Sequence, residues 1–122
     1  MMKKKKKEPI FEPNENDVLK GRGKGPQDHT GNIRFREFVN DYKFDYITAG
    51  RNSKRPYCEK IYNKVGSQNP PGRFLVKTDI NVEIWYEMDK EDALKKIQQA
   101  LRENGASMKA AIETKDVDEV NE

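Results

Sequence analysis

A short segment of the chain, residues 21–25, alternates glycine with cationic side chains in the order Gly-Arg-Gly-Lys-Gly. Glycine allows backbone N–H groups to approach a phosphate closely, and Arg22 and Lys24 place positive charge beside them. The spacing matches neither the GxxxxGK(S/T) pattern of a Walker loop nor a dinucleotide-binding GxGxxG between a strand and a helix. The segment therefore predicts either contacts with a nucleic-acid backbone or a tight structural loop that needs glycine for its turns.

Cationic side chains recur along the segments that follow. Arg34 and Arg36 lie on the polar side of a predicted first helix, and a basic cluster at residues 51–55 leads into a second, whose N-terminus favours a phosphate. The exposed face of the second helix carries polar side chains that can read base edges. For each group the alternative is an ordinary solvated surface. The candidate nucleic-acid contacts are Arg22, Lys24, Arg34, Arg36, Arg51, Lys54, Arg55 and Arg73 for phosphates, and Glu59, Lys60, Asn63 and Lys64 for base edges.

The charge of the chain is unevenly distributed, although the formal net charge is only +3. Residues 18–77 contain thirteen Lys and Arg against five Asp and Glu, whereas residues 78–122 carry a net charge of −6. A basic block of this size is typical of proteins that bind polyanions, above all nucleic acid. A run of five lysines at residues 3–7 is compatible with a nuclear-localisation signal, a phosphate contact or a solubilising tail.

The residues that catalysis or metal binding would need are scarce. The single cysteine, Cys58, lies on a predicted apolar helix stripe and is expected to be a small core residue. The single histidine, His29, has no nucleophile or orienting partner nearby in sequence, so we expect it to form a hydrogen bond within a loop. One cysteine and one histidine cannot form a zinc site of the Cys/His type. We therefore expect no cofactor, no metal and no enzymatic activity.

Three segments of the chain show the periodicity of amphipathic helices. The first follows Asn32, a favourable N-cap residue, and the second begins near Ser53, with a proline in its first turn. The third covers residues 90–104, with Asp89 as its N-cap and its apolar residues on one face. The glycine-rich stretch 16–32 that precedes them predicts a loop.

Two short apolar runs, residues 73–77 and 82–86, predict a β-hairpin between the second and third helices. Phe74 and Trp85 within these runs are expected in the core rather than on a base-stacking platform. The order loop, helix, helix, β-hairpin, helix predicts a small single domain of the α+β class. Two helices followed by a hairpin resemble a winged-helix module, although here a further helix follows the hairpin.

The expected layout is a disordered basic arm at residues 1–15, a folded domain at residues 16–105 and an acidic disordered tail at residues 106–122. No apolar run approaches the roughly 20 residues of a membrane span. No apolar segment follows the lysine run, as a secretory signal would require. We therefore expect a nuclear or cytoplasmic protein that is neither secreted nor bound to a membrane.

Several short motifs are spread along the chain: Asn16-Asp17-Val18-Leu19, Gly21-Arg22-Gly23, His29, Gly31-Asn32, Phe35-Arg36, Pro70-Pro71-Gly72-Arg73-Phe74-Leu75, Trp85 and Gln99-Ala100-Leu101-Arg102-Glu103. Together they resemble an uncharacterised domain family that is abundant in diatoms and related algae. Lys20 stands where that family more often has cysteine, and Thr30 where proline is frequent. The resemblance spans roughly residues 16–104, so it implies a domain boundary, and it implies no activity.

These observations favour a non-enzymatic module that binds nucleic acid, with DNA preferred over RNA. The alternative is a protein-interaction domain whose basic face recognises an acidic partner. An enzyme acting on a phosphorylated small molecule ranks last, because no acid, base, nucleophile or metal cluster is evident. A continuous positive face would favour the first two classes, whereas a concave site that gathers Arg22, His29 and Arg73 would favour the third.

Overall fold

The computed structural model of the protein describes residues 7–21 and 24–103. Its elements confirm a small α+β domain with four helices and a three-stranded sheet. In chain order they are β1 (Val18–Leu19), α1 (Lys24–Asp28), α2 (Thr30–Thr48), a 3₁₀ turn (Arg51–Ser53), α3 (Arg55–Gly66), β2 (Phe74–Lys77), β3 (Trp85–Glu87) and α4 (Lys90–Arg102). The predicted acidic tail lies outside the described residues.

The sheet has the order β1-β2-β3 and combines both kinds of strand pairing. Strands β2 and β3 form the predicted antiparallel hairpin, in which Val76 lies opposite Tyr86. The second strand was predicted at residues 82–86, but β3 begins only at Trp85 and extends to Glu87. Strand β1 pairs with β2 in parallel, so the stretch predicted as a loop contributes an edge strand and the short helix α1. Ile10 forms an antiparallel bridge with Trp85 through two backbone hydrogen bonds of 2.7 and 2.8 Å. Ile10 belongs to the stretch predicted as a disordered arm, residues 1–15. That part of the arm therefore contacts the sheet.

The main core lies between the three long helices and the inner face of the sheet. Each helix contributes the apolar stripe that its sequence predicts, and the centre of α4 is fully buried at Ala93, Ile97 and Leu101. Phe74 from β2 packs edge-on against Phe35, with ring centroids 5.5 Å apart. Trp85 belongs to a smaller cluster with residues of β1 and β2. The prediction that Phe74 and Trp85 are core residues is therefore confirmed.

The prediction that Asn32 is the N-cap of the first long helix is wrong. Helix α2 begins at Thr30, and the Asn32 side chain turns instead toward the neighbouring strand β1. Its Oδ1 accepts a hydrogen bond of 2.8 Å from the backbone N–H of Leu19, and its Nδ2 donates one of 2.9 Å to the Leu19 carbonyl. The amide thus satisfies the backbone N–H and C=O of Leu19, as a further strand would. These groups on the edge strand are therefore not open to pairing with another chain.

Candidate nucleic-acid interface

A buried carboxylate organises the end of the fold where β1 and β2 begin. Asp17 is 0% exposed, and both of its oxygens accept two hydrogen bonds. The donors are the backbone N–H groups of Asn14 and Arg73 and the Arg73 guanidinium, at 2.7 to 3.0 Å. The bond to Asp17 raises the pKa of Arg73. Arg73 was predicted to contact phosphate, and the structure places it in an internal ion pair.

Two other predicted phosphate contacts, on the first turns of α2, also form bonds within the fold. Arg34 donates to the side-chain oxygen of Asn16, which is itself buried. Arg36 donates to the backbone carbonyl of Gln27 at 2.8 Å. His29, whose Nε2 lies 3.0 Å from the Asn14 carbonyl, forms the loop hydrogen bond that the sequence predicts. His29 and Arg73 line two different cavities.

Two glycines let the backbone segments approach closely around this carboxylate. A Cβ added to Gly31 would lie 2.7 Å from the carbonyl carbons of Asn16 and Asp17, closer than real Cβ atoms come. A Cβ on Gly72 would lie 2.7 Å from a methyl group of Val65. We call the residues that meet here the motif cluster, and they come from three of the motifs singled out in the sequence: Asn16, Asp17, Gly31, Asn32, Gly72 and Arg73. Packing and hydrogen bonding within the cluster therefore account for the residue types in those three motifs.

The opposite end of α2 carries a concave surface rich in positive charge, which we call the basic cleft. It has a volume of about 750 Å³ and lies between the 3₁₀ turn, the start of α3 and the outer side of α4. Its cations are Arg51, Lys54, Arg55, Lys95 and Arg102, and its other lining residues are Tyr46, Cys58, Glu91, Leu94 and Gln98. Five cations thus surround one carboxylate.

The cations of the basic cleft differ in how far they are neutralised. Arg55 bonds to Glu91 at 2.9 Å, which raises the pKa of its guanidinium. Lys54 lies over the ring of Tyr46, with Nζ 5.1 Å from the centroid. Among the described residues, no salt bridge involves Arg51, Lys95 or Arg102. Within the described part of the chain, these three therefore provide positive charge that no carboxylate pairs with.

Sequence reasoning identified three cations of the cleft, at residues 51–55, and missed the two on α4. Lys95 and Arg102 are seven residues apart, which places them on one face of a helix. The spacing was visible in the sequence, but that part of the chain is acidic overall, and nothing showed that its helix packs beside the start of α3.

Cys58 lies at the floor of the basic cleft and is buried. Burial raises the pKa of its thiol, which leaves less of the thiolate that a nucleophile requires. The prediction of a core cysteine is confirmed.

Three of the four predicted base-reading residues lie on the other flank of α3, where it meets α2. The fourth, Glu59, does not line that surface and pairs instead with Arg55 at 3.7 Å and with Lys90 of α4 at 3.3 Å. Lys60, Asn63 and Lys64 line a shallow groove of about 530 Å³ with Phe38 and Tyr42 of α2. We call this surface the aromatic groove. The structure thus separates the phosphate candidates, because about 21 Å of helix lies between Arg34 and Thr48, the last residue of α2 before the cluster at residues 51–55.

Two candidates stay predictions, because Arg22 lies outside the described residues and Lys24, the first residue of α1, is described only in its backbone. Within the described part of the chain, no group of three His, Cys, Asp or Glu side chains could hold a metal ion. No helix there is both long and apolar enough to cross a membrane.

Comparison with curated proteins and with solved structures finds no match. A family model described as a domain of unknown function, DUF6824, matches residues 17–103. The match begins at the buried Asp17 and ends one residue after α4, so it covers the basic cleft, the aromatic groove and every residue of the motif cluster except Asn16. This agrees with the resemblance to an uncharacterised domain family. The chain belongs to the DUF6824 family.

Proposed function

We propose that the protein is a non-enzymatic nucleic-acid-binding module, with DNA as its preferred ligand, and that it acts in the nucleus. The observation that carries the proposal is the basic cleft, in which five cations from the segment 51–55 and from α4 surround a single carboxylate. Lys and Arg that neutralise backbone phosphates release counterions, which provides affinity without dependence on sequence. The five-lysine run at residues 3–7 supports the nuclear setting.

The state of the individual cations supports phosphate binding at this place. Arg51, Lys95 and Arg102 are exposed, and none is in a salt bridge within the described residues. Arg34 and Arg73 are held by Asn16 and Asp17, so the proposal gives them a structural role. Arg22 and Lys24 remain proposed as additional phosphate contacts.

The experiment is a binding titration of the full chain against duplex DNA, single-stranded DNA and RNA at two salt concentrations. The cleft variant Arg51→Gln/Lys95→Gln is compared with the control Lys77→Gln/Lys90→Gln, which removes the same charge from residues that do not line the cleft. We expect the cleft variant to bind every sequence more weakly and the control to bind nearly as the wild type does, with DNA bound more tightly than RNA.

Two results would contradict the proposal. If the wild type binds no nucleic acid at low salt, nucleic acid is not the ligand, and a protein-interaction domain that recognises an acidic partner takes its place. If both variants lose the same affinity, net charge rather than the cleft determines binding. Replacing Arg22 and Lys24 together then tests the glycine-rich loop as the next surface.

A further inference from the structure

The aromatic groove contains the rings of Phe38 and Tyr42 and two lysines that the cleft does not use. The ring of Tyr57 lies beside the groove, with its centroid 6.2 Å from that of Tyr42. Lys60 lies over the ring of Tyr57, with Nζ 5.3 Å from the centroid. Lys64 lies over both Phe38 and Tyr42, at 5.6 and 5.5 Å. The rings are half-buried and both lysines are exposed. Ring faces that an exposed amine can cover are accessible from solvent.

The chemistry of the groove fits a nucleobase. A base is flat and apolar on its faces, so it can stack on an aromatic ring in place of the lysine ammonium. The displaced lysine can then contact the phosphate next to that base. Asn63, Ser67 and Gln68 offer polar groups at the rim for the edges of a base. No carboxylate is among the residues that line the groove, so its charge complements a polyanion.

The position of the rings indicates an unpaired base. Phe38 and Tyr42 line a shallow groove between α2 and α3. In a duplex the faces of the bases are covered by their neighbours, so only a base that has left the stack can lie against such rings. The groove and the basic cleft flank α3 on opposite sides, about one helix diameter, roughly 10 Å, apart.

We propose that the aromatic groove stacks unpaired bases, so that the nucleic acid whose phosphates lie in the basic cleft is single-stranded where it crosses α3. This inference rests on the proposed function and adds the strand state of the ligand to it.

The test uses a single-stranded oligothymidine and the duplex it forms with oligoadenine, each titrated against the full chain at several salt concentrations. The groove variant is Phe38→Leu/Tyr42→Leu, which keeps apolar side chains in place. The control is Phe44→Leu, which alters an aromatic residue of α2 that is 50% exposed and does not line the groove. The urea midpoint of each variant shows that it is folded.

We expect the wild type to prefer the single strand, and the groove variant to lose about 5- to 150-fold of that affinity for each stacked base. Its duplex affinity should change by less than about twofold, and the control should match the wild type. A second variant, Lys60→Gln/Lys64→Gln, changes only exposed side chains, and should lower the salt slope for the single strand by about 1.4.

Equal losses on both ligands, no loss from either groove variant, or a wild-type preference for duplex would overturn the inference and leave the proposed function standing. Absence of binding to both ligands at low salt would overturn both. A loss confined to the cleft variant Arg51→Gln/Lys95→Gln would support the proposed function alone.

Discussion

At the scale of single residues, the two classes of arginine in this chain have different tasks. Arg73 reaches a carboxylate that is 0% exposed, and its own side chain is only 34% exposed. Arg51 is exposed in the basic cleft, with no salt bridge among the described residues. Removing one member of a buried ion pair leaves a charge without its partner, whereas an exposed side chain can be exchanged at little cost.

Arg73→Met should therefore lower the free energy of unfolding by about 3 kcal/mol and leave the nucleic-acid affinity of the folded protein within about twofold. Arg51→Met should change stability by less than about 0.5 kcal/mol and weaken binding. Urea denaturation and a binding titration on both variants measure the two effects. If Arg73→Met weakened binding without loss of stability, Arg73 would be a phosphate contact after all.

Cys58 provides a second prediction at this scale. Because burial raises the pKa of its thiol, we expect a thiol reagent at pH 7 to label the native protein far more slowly than the urea-unfolded chain. The labelling rate measured against urea concentration should follow the unfolding curve. A native rate equal to that of a free cysteine peptide would show that the thiol is exposed.

At the scale of elements, the close approach of β1 to the start of α2 depends on Gly31. Gly31→Ala places a methyl group against backbone atoms of residues 16 and 17, which cannot move without disturbing Asp17. We expect a loss of more than about 3 kcal/mol, measured as a shift of the urea midpoint.

Gly66→Ala is the matched control, because an added Cβ there meets no atom within 4 Å and alanine favours helix. It should leave stability unchanged or raise it by up to about 1 kcal/mol. Similar midpoints for the two variants would contradict the described packing of β1 on α2.

The elements differ in how far the sequence predicts them. The long helices carry several turns of apolar periodicity, so their existence and buried faces are predicted well, and Asp89 precedes α4 as expected. Strand β1 has two residues, too few for a period-two pattern, and its pairing with β2 joins residues 56 positions apart. The Asn32 side chain bonds to the backbone of β1, so its role can be predicted only if that strand is known. Without the strand, the local sequence favours an N-cap role for Asn32.

At the scale of the whole molecule, folding creates a charge distribution that differs from the distribution of charge along the sequence. The acidic last third of the domain supplies Lys95 and Arg102 to the basic cleft, because α4 crosses beside α3. At the other end, Arg34 and Arg73 are held inside the domain. Composition therefore predicts a polyanion partner, while only the packing of the helices indicates the surface that would bind it.

The slope of log K against log salt concentration tests this account most directly. Measured on duplex DNA with the full chain, Arg51→Gln/Lys95→Gln should flatten the slope by about 1.8 relative to the wild type, since each lost phosphate contact contributes about 0.9. The control Lys77→Gln/Lys90→Gln should keep the wild-type slope. A cleft variant that binds with the wild-type slope would contradict the claim that the basic cleft holds the phosphates.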